Sequence, residues 1–186
     1  MAKFTMNRTQ LDSCIRRLGE GDRDAFHALY ADAKDSVFLF ALSIVRDYPL
    51  AEDVLQDSML HIAAHAHSYR PGSNPKAWIL SIVRNLCLDA LKKSSRSDLP
   101  LESIEGILPA ADDLAGTAEA ADAVMRTLNV LTDREREIVS LYVFAGLRQG
   151  EIAAALQLPY AKVRSHYKYA LKKMRLYYTR NEENSS

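Results

Sequence analysis

The stretch GLRQGEIAAALQLPYAKVRSHYKYALKKM, Gly146 to Met174, decides the reading of this 186-residue chain. It predicts two helices joined by a tight turn. The first holds Glu151, Ile152, Ala153, Ala154, Ala155 and Leu156; the turn is Gln157-Leu158-Pro159; the second runs from about Tyr160 to about Tyr178. The alanines let a second helix approach closely. Leu158 is apolar inside the turn and suits the angle between the helices. Pro159 fits a helix start, where its missing N–H costs nothing. Lys162, Arg164, Lys168, Lys172, Lys173 and Arg175 follow, with no acidic residue between Tyr160 and Asn181. This is the pattern of a helix-turn-helix whose second helix enters a DNA major groove. The plainer alternative is a surface helical hairpin with a solvated basic face.

Working outward, Thr132-Asp133-Arg134-Glu135 reads as a capping box that opens a helix carrying Ile138, Val139, Leu141, Tyr142 and Phe144. Gly146 fits a left-handed stop after it. A further helix is expected from about Ala118 to Leu131, with Ala121, Val124, Leu128 and Leu131 as its stripe. Residues 118–180 therefore read as a four-helix unit that contains the helix-turn-helix. Before it, from Asp98 to Asp122, every charge is negative. With prolines, glycines and no clean period, 96–117 reads as an acidic linker and as the domain boundary.

The first domain, 9–95, shows four helical stripes. Leu11, Ile15 and Leu18 lie on the first, which Gly19 and Gly21 are expected to end. Residues Met1 to Arg8 read as a frayed start. Asp22 is placed to cap a long second helix reaching Val45, and Asp47-Tyr48-Pro49 is expected to break it. A third helix, from about Leu50 to Ala66, buries Val54, Leu55, Met59, Ile62 and Ala63, and its other face carries Glu52, Asp53, Gln56 and Asp57. Turn residues from Ser68 to Pro75 predict a loop. A fourth helix, from about Lys76 to Ser94, buries Trp78 as the expected central core residue. No strand pattern, internal repeat or Gly-rich phosphate loop appears, so the fold class is all-α.

Composition agrees with a protein that has real cores: hydrophobic residues are 48% of the chain, and 24 basic residues balance 24 acidic ones. The zero net charge is unevenly spread, and for nucleic-acid binding the distribution matters more than the sum. Cys14 and Cys87 sit among apolar residues and read as buried free thiols. Neither a signal peptide nor an apolar run of membrane-spanning length is evident, so a cytoplasmic protein without membrane insertion is expected. His61 and His65 lie four apart, yet the residue after His61 is Ile62, not the glutamate of a metalloprotease motif; no metal and no cofactor are expected. No residue set has the context of a catalytic triad, so no enzyme is expected.

Two motif sets in this order carry a resemblance. AEDVLQDSMLHI (51–62), a polar and aromatic loop and PKAWILSIVRNLCLDALKK (75–93) come first; LTDREREIVSLYVFAGLRQGEIA (131–153) and LPYAKVRSHYKYALKKMR (158–175) follow the acidic linker. Together they resemble the extracytoplasmic-function group of bacterial sigma factors, from about Gly19 to Arg175. The resemblance implies a promoter-recognition subunit that binds RNA polymerase core and promoter DNA and is held by an anti-sigma factor. Glu52, Asp53, Gln56 and Asp57 match the polymerase-docking segment; an acidic row suits a basic partner. Tyr69, Arg70, Ser73, Asn74, Lys76, Arg84, Asn85, Lys92 and Lys93 match the segment for the downstream promoter element. There an extruded base needs a π-face or polar edge readers, and its phosphates need cations. Asn85 is the expected contact to the displaced base or its backbone, and Asp89 is expected to hold an arginine of a neighbouring helix. Arg148, Lys162, Arg164, Ser165, Lys168, Tyr169 and Lys172 match the segment for the upstream element, where arginine pairs with guanine edges and lysines, Lys173 among them, meet phosphates.

The chain departs from the family pattern at several positions. Arg148 stands where a Ser or Thr cap is usual, Gly150 where an acid is common, Gln157 where the turn usually has Gly, and Ala161-Lys162 where Gly-Thr is usual. His166 and Tyr169 replace usual arginines. A decoy that binds an anti-sigma factor without reading a promoter is the alternative, but it should lack the basic face that this chain keeps.

Overall fold

The computed structural model describes residues 4–94 and 125–183. Within them, every regular element is helical. The first half comprises α1 (Arg8–Gly19), α2 (Arg23–Val45), α3 (Tyr48–His65), a short 3₁₀ turn (Ala66–Ser68) and α4 (Pro75–Ser94). The second comprises helical residues 125–128, α5 (Asp133–Val143), α6 (Gln149–Ala155) and α7 (Tyr160–Glu183). The expected linker 96–117 and the expected helical start at 118–124 lie outside the described residues.

Local chemistry sets the helix ends. Asn7 and Gln10 form a reciprocal capping box at α1, each side chain meeting the other's backbone N–H at 3.0 Å. The start of the chain is thus not frayed from Phe4 onward. Phe4 is buried, and the N–H groups of Thr5 and Met6 both donate to Asp32 Oδ1 at 2.8 and 2.9 Å. Asp22 caps α2 as expected, accepting from the N–H of Asp24 at 2.9 Å and of Ala25 at 3.2 Å. Pro49 does not break α2. It sits in the first turn of α3, where no N–H is needed, behind an Asp47 cap that accepts the Leu50 N–H at 2.8 Å. The turn between α2 and α3 is made instead by Arg46 in the left-handed region at φ 58°.

Gly19 is the last residue of α1, as expected, and it has a packing role besides: a Cβ there would stand 3.0 Å from the backbone of Ala66 and His67. Its missing side chain lets α1 press against the 3₁₀ turn. Gly21 and Gly146 do take positive φ, at 88° and 67°, and end α1 and α5. Cys14 and Cys87 are buried free thiols, and burial pushes the Cys87 thiol up to about 12.

α2 is the central element. It packs on α1, α3 and α4 and, from the other half, on α5; α4 also meets α6. The buried residues of both halves form one continuous apolar cluster. The two halves are therefore docked on each other.

Candidate polymerase and nucleic-acid interfaces

On α3 the buried side is Ala51, Val54, Leu55, Ser58, Met59 and Ile62. Asp53, Gln56 and Asp57 lie opposite and exposed, while Glu52 is half-buried beside them. The spacing of three and four residues puts the exposed trio on one face. Leu60 extends that row and is 45% exposed. It is not among the docking residues expected from the sequence. Its signal was an apolar side chain in register with the acids, seven positions after Asp53.

The loop before α4 is anchored from α1. The Tyr69 hydroxyl donates to Asp12 Oδ1 at 2.6 Å, the Gly72 N–H donates to the same oxygen at 2.9 Å, and Arg8 donates to the carbonyls of Gly72 and Ser73 at 2.9 and 3.2 Å. The Tyr69 bond first, then the Gly72 bond and the nearby Arg8 charge, hold the Asp12 carboxyl below the usual carboxylate range. Tyr69 is only 5% exposed and packs edge-on against Trp78, with ring centroids 5.2 Å apart. It is thus a wall of the loop and not an open stacking platform. Trp78, expected at the core's centre, is half-buried at its rim.

Arg70 and Asn85 are exposed. Asn85 shares a 330 Å³ pocket with His61, His65, Ser68, Trp78 and Asp89. The two histidine rings stack at 5.6 Å, and the His65 Nδ1–H donates to the His61 carbonyl at 2.9 Å. Lys76 lies over the Phe4 ring, 5.2 Å from its centroid. Lys92 donates to Asp89 at 3.1 Å, so Asp89 holds a lysine of its own helix and not an arginine of another. Lys93 is exposed at the end of α4.

Two members of the downstream set meet the other half of the molecule. Asn74 accepts the Ala77 N–H at 3.2 Å through Oδ1, capping α4, and its amide donates to Glu151 Oε1 at 2.8 Å. Arg84 Nε donates to Glu137 Oε1, and Arg134 takes the second oxygen of Glu137 at 2.7 Å. Arg46 pairs with Asp133 across the same junction.

The helix-turn-helix is α6, a turn at 156–159 and α7. Arg148 offers no acceptor for a cap, but its own N–H donates to Glu151 Oε2 at 2.8 Å, so half of the capping box survives. Gln157 takes φ 53° where glycine is usual, and Leu158 is half-buried in the angle. Val163 and Ala170 bury one side of α7. Lys162, Arg164, Ser165, Lys168, Tyr169 and Lys172 are exposed on it, Tyr169 at 61%. Lys173 is not among them. It is half-buried and donates to Glu135 Oε2 at 2.6 Å, an ion pair that ties α7 to α5. Among the described residues, no helix is long and apolar enough to cross a membrane.

Sigma-70 region 2 matches residues 29–97, and Sigma-70, region 4 matches residues 127–176. The ECF RNA polymerase sigma factor SigK of Mycobacterium sp. (strain KMS) is 29% identical over 164 residues, covering 84% of each chain. The chain belongs to the extracytoplasmic-function sigma factors. SigK of Mycobacterium tuberculosis (strain ATCC 25177 / H37Ra) is 24% identical over 173 residues, covering 90% of this chain and 92% of its own. Among solved structures, the sigma factor RpoE in complex with the anti-sigma factor NepR from Bartonella quintana superposes with TM-score 0.64 at 27% identity, covering 83% of this sigma factor and 96% of that chain. CnrH, solved with the cytosolic domain of CnrY, shares the fold at TM-score 0.68 and 20% identity, over 90% and 96% of the two chains. The family acts in transcription initiation as a non-enzymatic factor. In this sigma factor the region 2 match falls in the first half and the region 4 match in the second, the halves that α2 and α5 join.

Proposed function

We propose a division of labour within a promoter-directing sigma factor. Glu52, Asp53, Gln56 and Asp57, with Leu60, dock on RNA polymerase core. Arg70, Ser73, Asn74, Lys76, Arg84, Asn85, Lys92 and Lys93 engage the downstream element as its strands part, with Asn85 at the displaced base. Arg148, Lys162, Arg164, Ser165, Lys168, Tyr169 and Lys172 read the upstream element. The observation that carries this reading is the exposed side of α7, which presents cations and a tyrosine and no acid from Tyr160 to Asn181. A helix of this kind supplies both phosphate contacts and base-edge donors. The chain performs no covalent step of its own and works in the cytoplasm beside the polymerase. An anti-sigma factor is its proposed partner in the resting cell, on the likeness to RpoE solved with NepR.

The test is initiation by core polymerase plus this protein on a library of genomic fragments, with transcript starts mapped. Shared paired motifs upstream of the starts are the expected result. Core binding without promoter-specific starts would sink the reading and leave the decoy.

A further inference from the structure

The loop that carries Arg70 and Ser73 is a turn gripped from α1. Arg70-Pro71-Gly72-Ser73 has the marks of a type II turn: proline second, glycine third with φ 80°, and the Ser73 N–H donating to the Arg70 carbonyl at 3.2 Å. One such bond at the surface holds a turn weakly. Here the backbone is also held from outside. Asp12 Oδ1 accepts the Gly72 N–H at 2.9 Å, and Arg8 donates to the carbonyls of Gly72 and Ser73 at 2.9 and 3.2 Å. Both grips are charge-assisted, the stronger kind of hydrogen bond. Arg8 and Asp12 are four positions apart on α1, so one helix face takes both the donor and the acceptor of Gly72. α1 is itself anchored: Asn7 and Gln10 cap it reciprocally, and the N–H groups of Thr5 and Met6 donate to Asp32 of α2. Phe4 is buried beside them, with Lys76 Nζ over its ring. Arg8 and Asp12 both precede the residues matched by Sigma-70 region 2, 29–97.

We propose that Arg8 and Asp12 are positioning residues for promoter opening: their grip on Gly72 fixes the turn so that Arg70 and Ser73 stand ready for the parting downstream strand. The proposal rests on the reading of Arg70 and Ser73 as contacts to the downstream element. Arg8 and Asp12 act through the backbone of the turn and not on DNA. A gripped turn meets the strand already ordered. A released one is ordered only as it binds, and that entropy is subtracted from the binding free energy. The Tyr69 hydroxyl has a separate part. It shares Asp12 Oδ1, but its loss leaves the bonds to Gly72 in place. Hydrogen bonds that served stability alone would cost folding and every activity together. A positioning grip costs opening and spares the docking on core polymerase.

Full-length variants are assembled with core polymerase and assayed for strand opening on a mapped promoter, for core binding and for thermal unfolding. Asp12→Ala and Arg8→Met are each expected to lower the opening equilibrium about tenfold while core binding stays level. Asp12→Asn keeps an acceptor for the Gly72 N–H and is expected to recover most of the loss. Tyr69→Phe removes another bond to the same carboxylate and leaves the grip, so it reports the effect of lost stability alone. An equal loss of opening in Tyr69→Phe overturns the proposal, as does a loss of core binding that matches the loss of opening. A double-variant cycle decides the role. In an Arg70→Ala/Ser73→Ala background, Asp12→Ala is expected to cost at most about twofold more, because the groups it aims are gone. An undiminished loss there gives Asp12 another task and sinks the positioning role. If Asp12→Ala does not fold, Arg8→Met carries the same cycle. Wild-type opening by Arg70→Ala/Ser73→Ala would end the reading of the loop and the proposal with it. Impaired opening there, with the Arg8 and Asp12 variants at the wild-type level, ends the proposal alone.

Discussion

Tyr69 and Asp12 are joined by a 2.6 Å hydrogen bond that ties the loop before α4 to the face of α1. Burial first, and then this bond, pushes the Tyr69 hydroxyl up, while the same bond holds the Asp12 carboxyl down. Tyr69→Phe keeps the ring against Trp78 and removes only the bond. It is expected to lower stability by about 1.5 kcal/mol, the low end for a hydrogen bond to a charged acceptor, because the pair is only part-buried. Urea unfolding of the two proteins measures this. Because the ring is buried, promoter opening at a temperature where both are folded should be nearly unchanged. A large loss of opening with stability intact would return Tyr69 to the DNA surface.

Gln157 occupies a left-handed backbone position, φ 53°, in the helix-turn-helix. A side chain there costs about 1–2 kcal/mol relative to the right-handed region, less for an isolated residue, and glycine avoids it. The greater freedom of glycine in the unfolded chain takes back part of the gain. Gln157→Gly is thus expected to stabilise by about 0.5 kcal/mol, read as a higher urea midpoint at constant slope. A lower midpoint would show that the Gln157 side chain makes a contact worth more than the strain.

Glu135 is buried, which by itself pushes its carboxyl up, but Lys173 and the Thr132 bonds together outweigh burial and hold it below the usual range. Its folded pKa is therefore the lower one. The stability it contributes is complete above the unfolded value, about 4.3, and is lost as pH falls through the folded value. Lys173→Met is expected to cost about 1 kcal/mol at pH 7, a modest figure because Lys173 is partly solvated. The difference from wild type should shrink as pH falls from 5 toward 3, because protonation then relieves the unpaired carboxylate. Unfolding curves across that range test it, and a difference independent of pH would assign the loss to packing.

Arg164 and Lys162 are neighbours on the exposed side of α7, yet they should fail differently. Arg164→Ala is expected to relax discrimination at one position of the upstream element by about 1–3 kcal/mol. Lys162→Ala should weaken binding alike on all sequences and lower the salt slope by about 1. Binding to a set of single-position variants at several salt concentrations separates the two. If Lys162→Ala changed base preference, its role as a phosphate contact would be wrong.

Much of this protein was legible in its residues because helical signals are local. The periods of α2, α3 and α4, the Asp22 and Thr132 caps and the Gly146 stop depend on neighbours within a few positions. So does the acid-free run from Lys162 to Arg175, which marked the proposed recognition face. Several roles that the residues alone did not show answer to distant partners. Phe4 is held through Asp32, Gly19 makes room for Ala66, Tyr69 turns inward to Asp12, and Lys173 turns inward to Glu135. An exposed cation and a cation held in an ion pair look the same in a sequence.

The sequence by itself determined an all-helical chain, its helix-turn-helix and the family to which its two motif sets belong, because periodicity, capping and motif order are written along the chain. Only the tertiary structure decided that the halves dock through α2 and α5, that Glu137 meets Arg84 and that Glu151 meets Asn74. Those pairs lie 53 and 77 positions apart. Charge attracts through space, not along the chain, so the choice of partner waits until the apolar faces have packed and brought the two surfaces together.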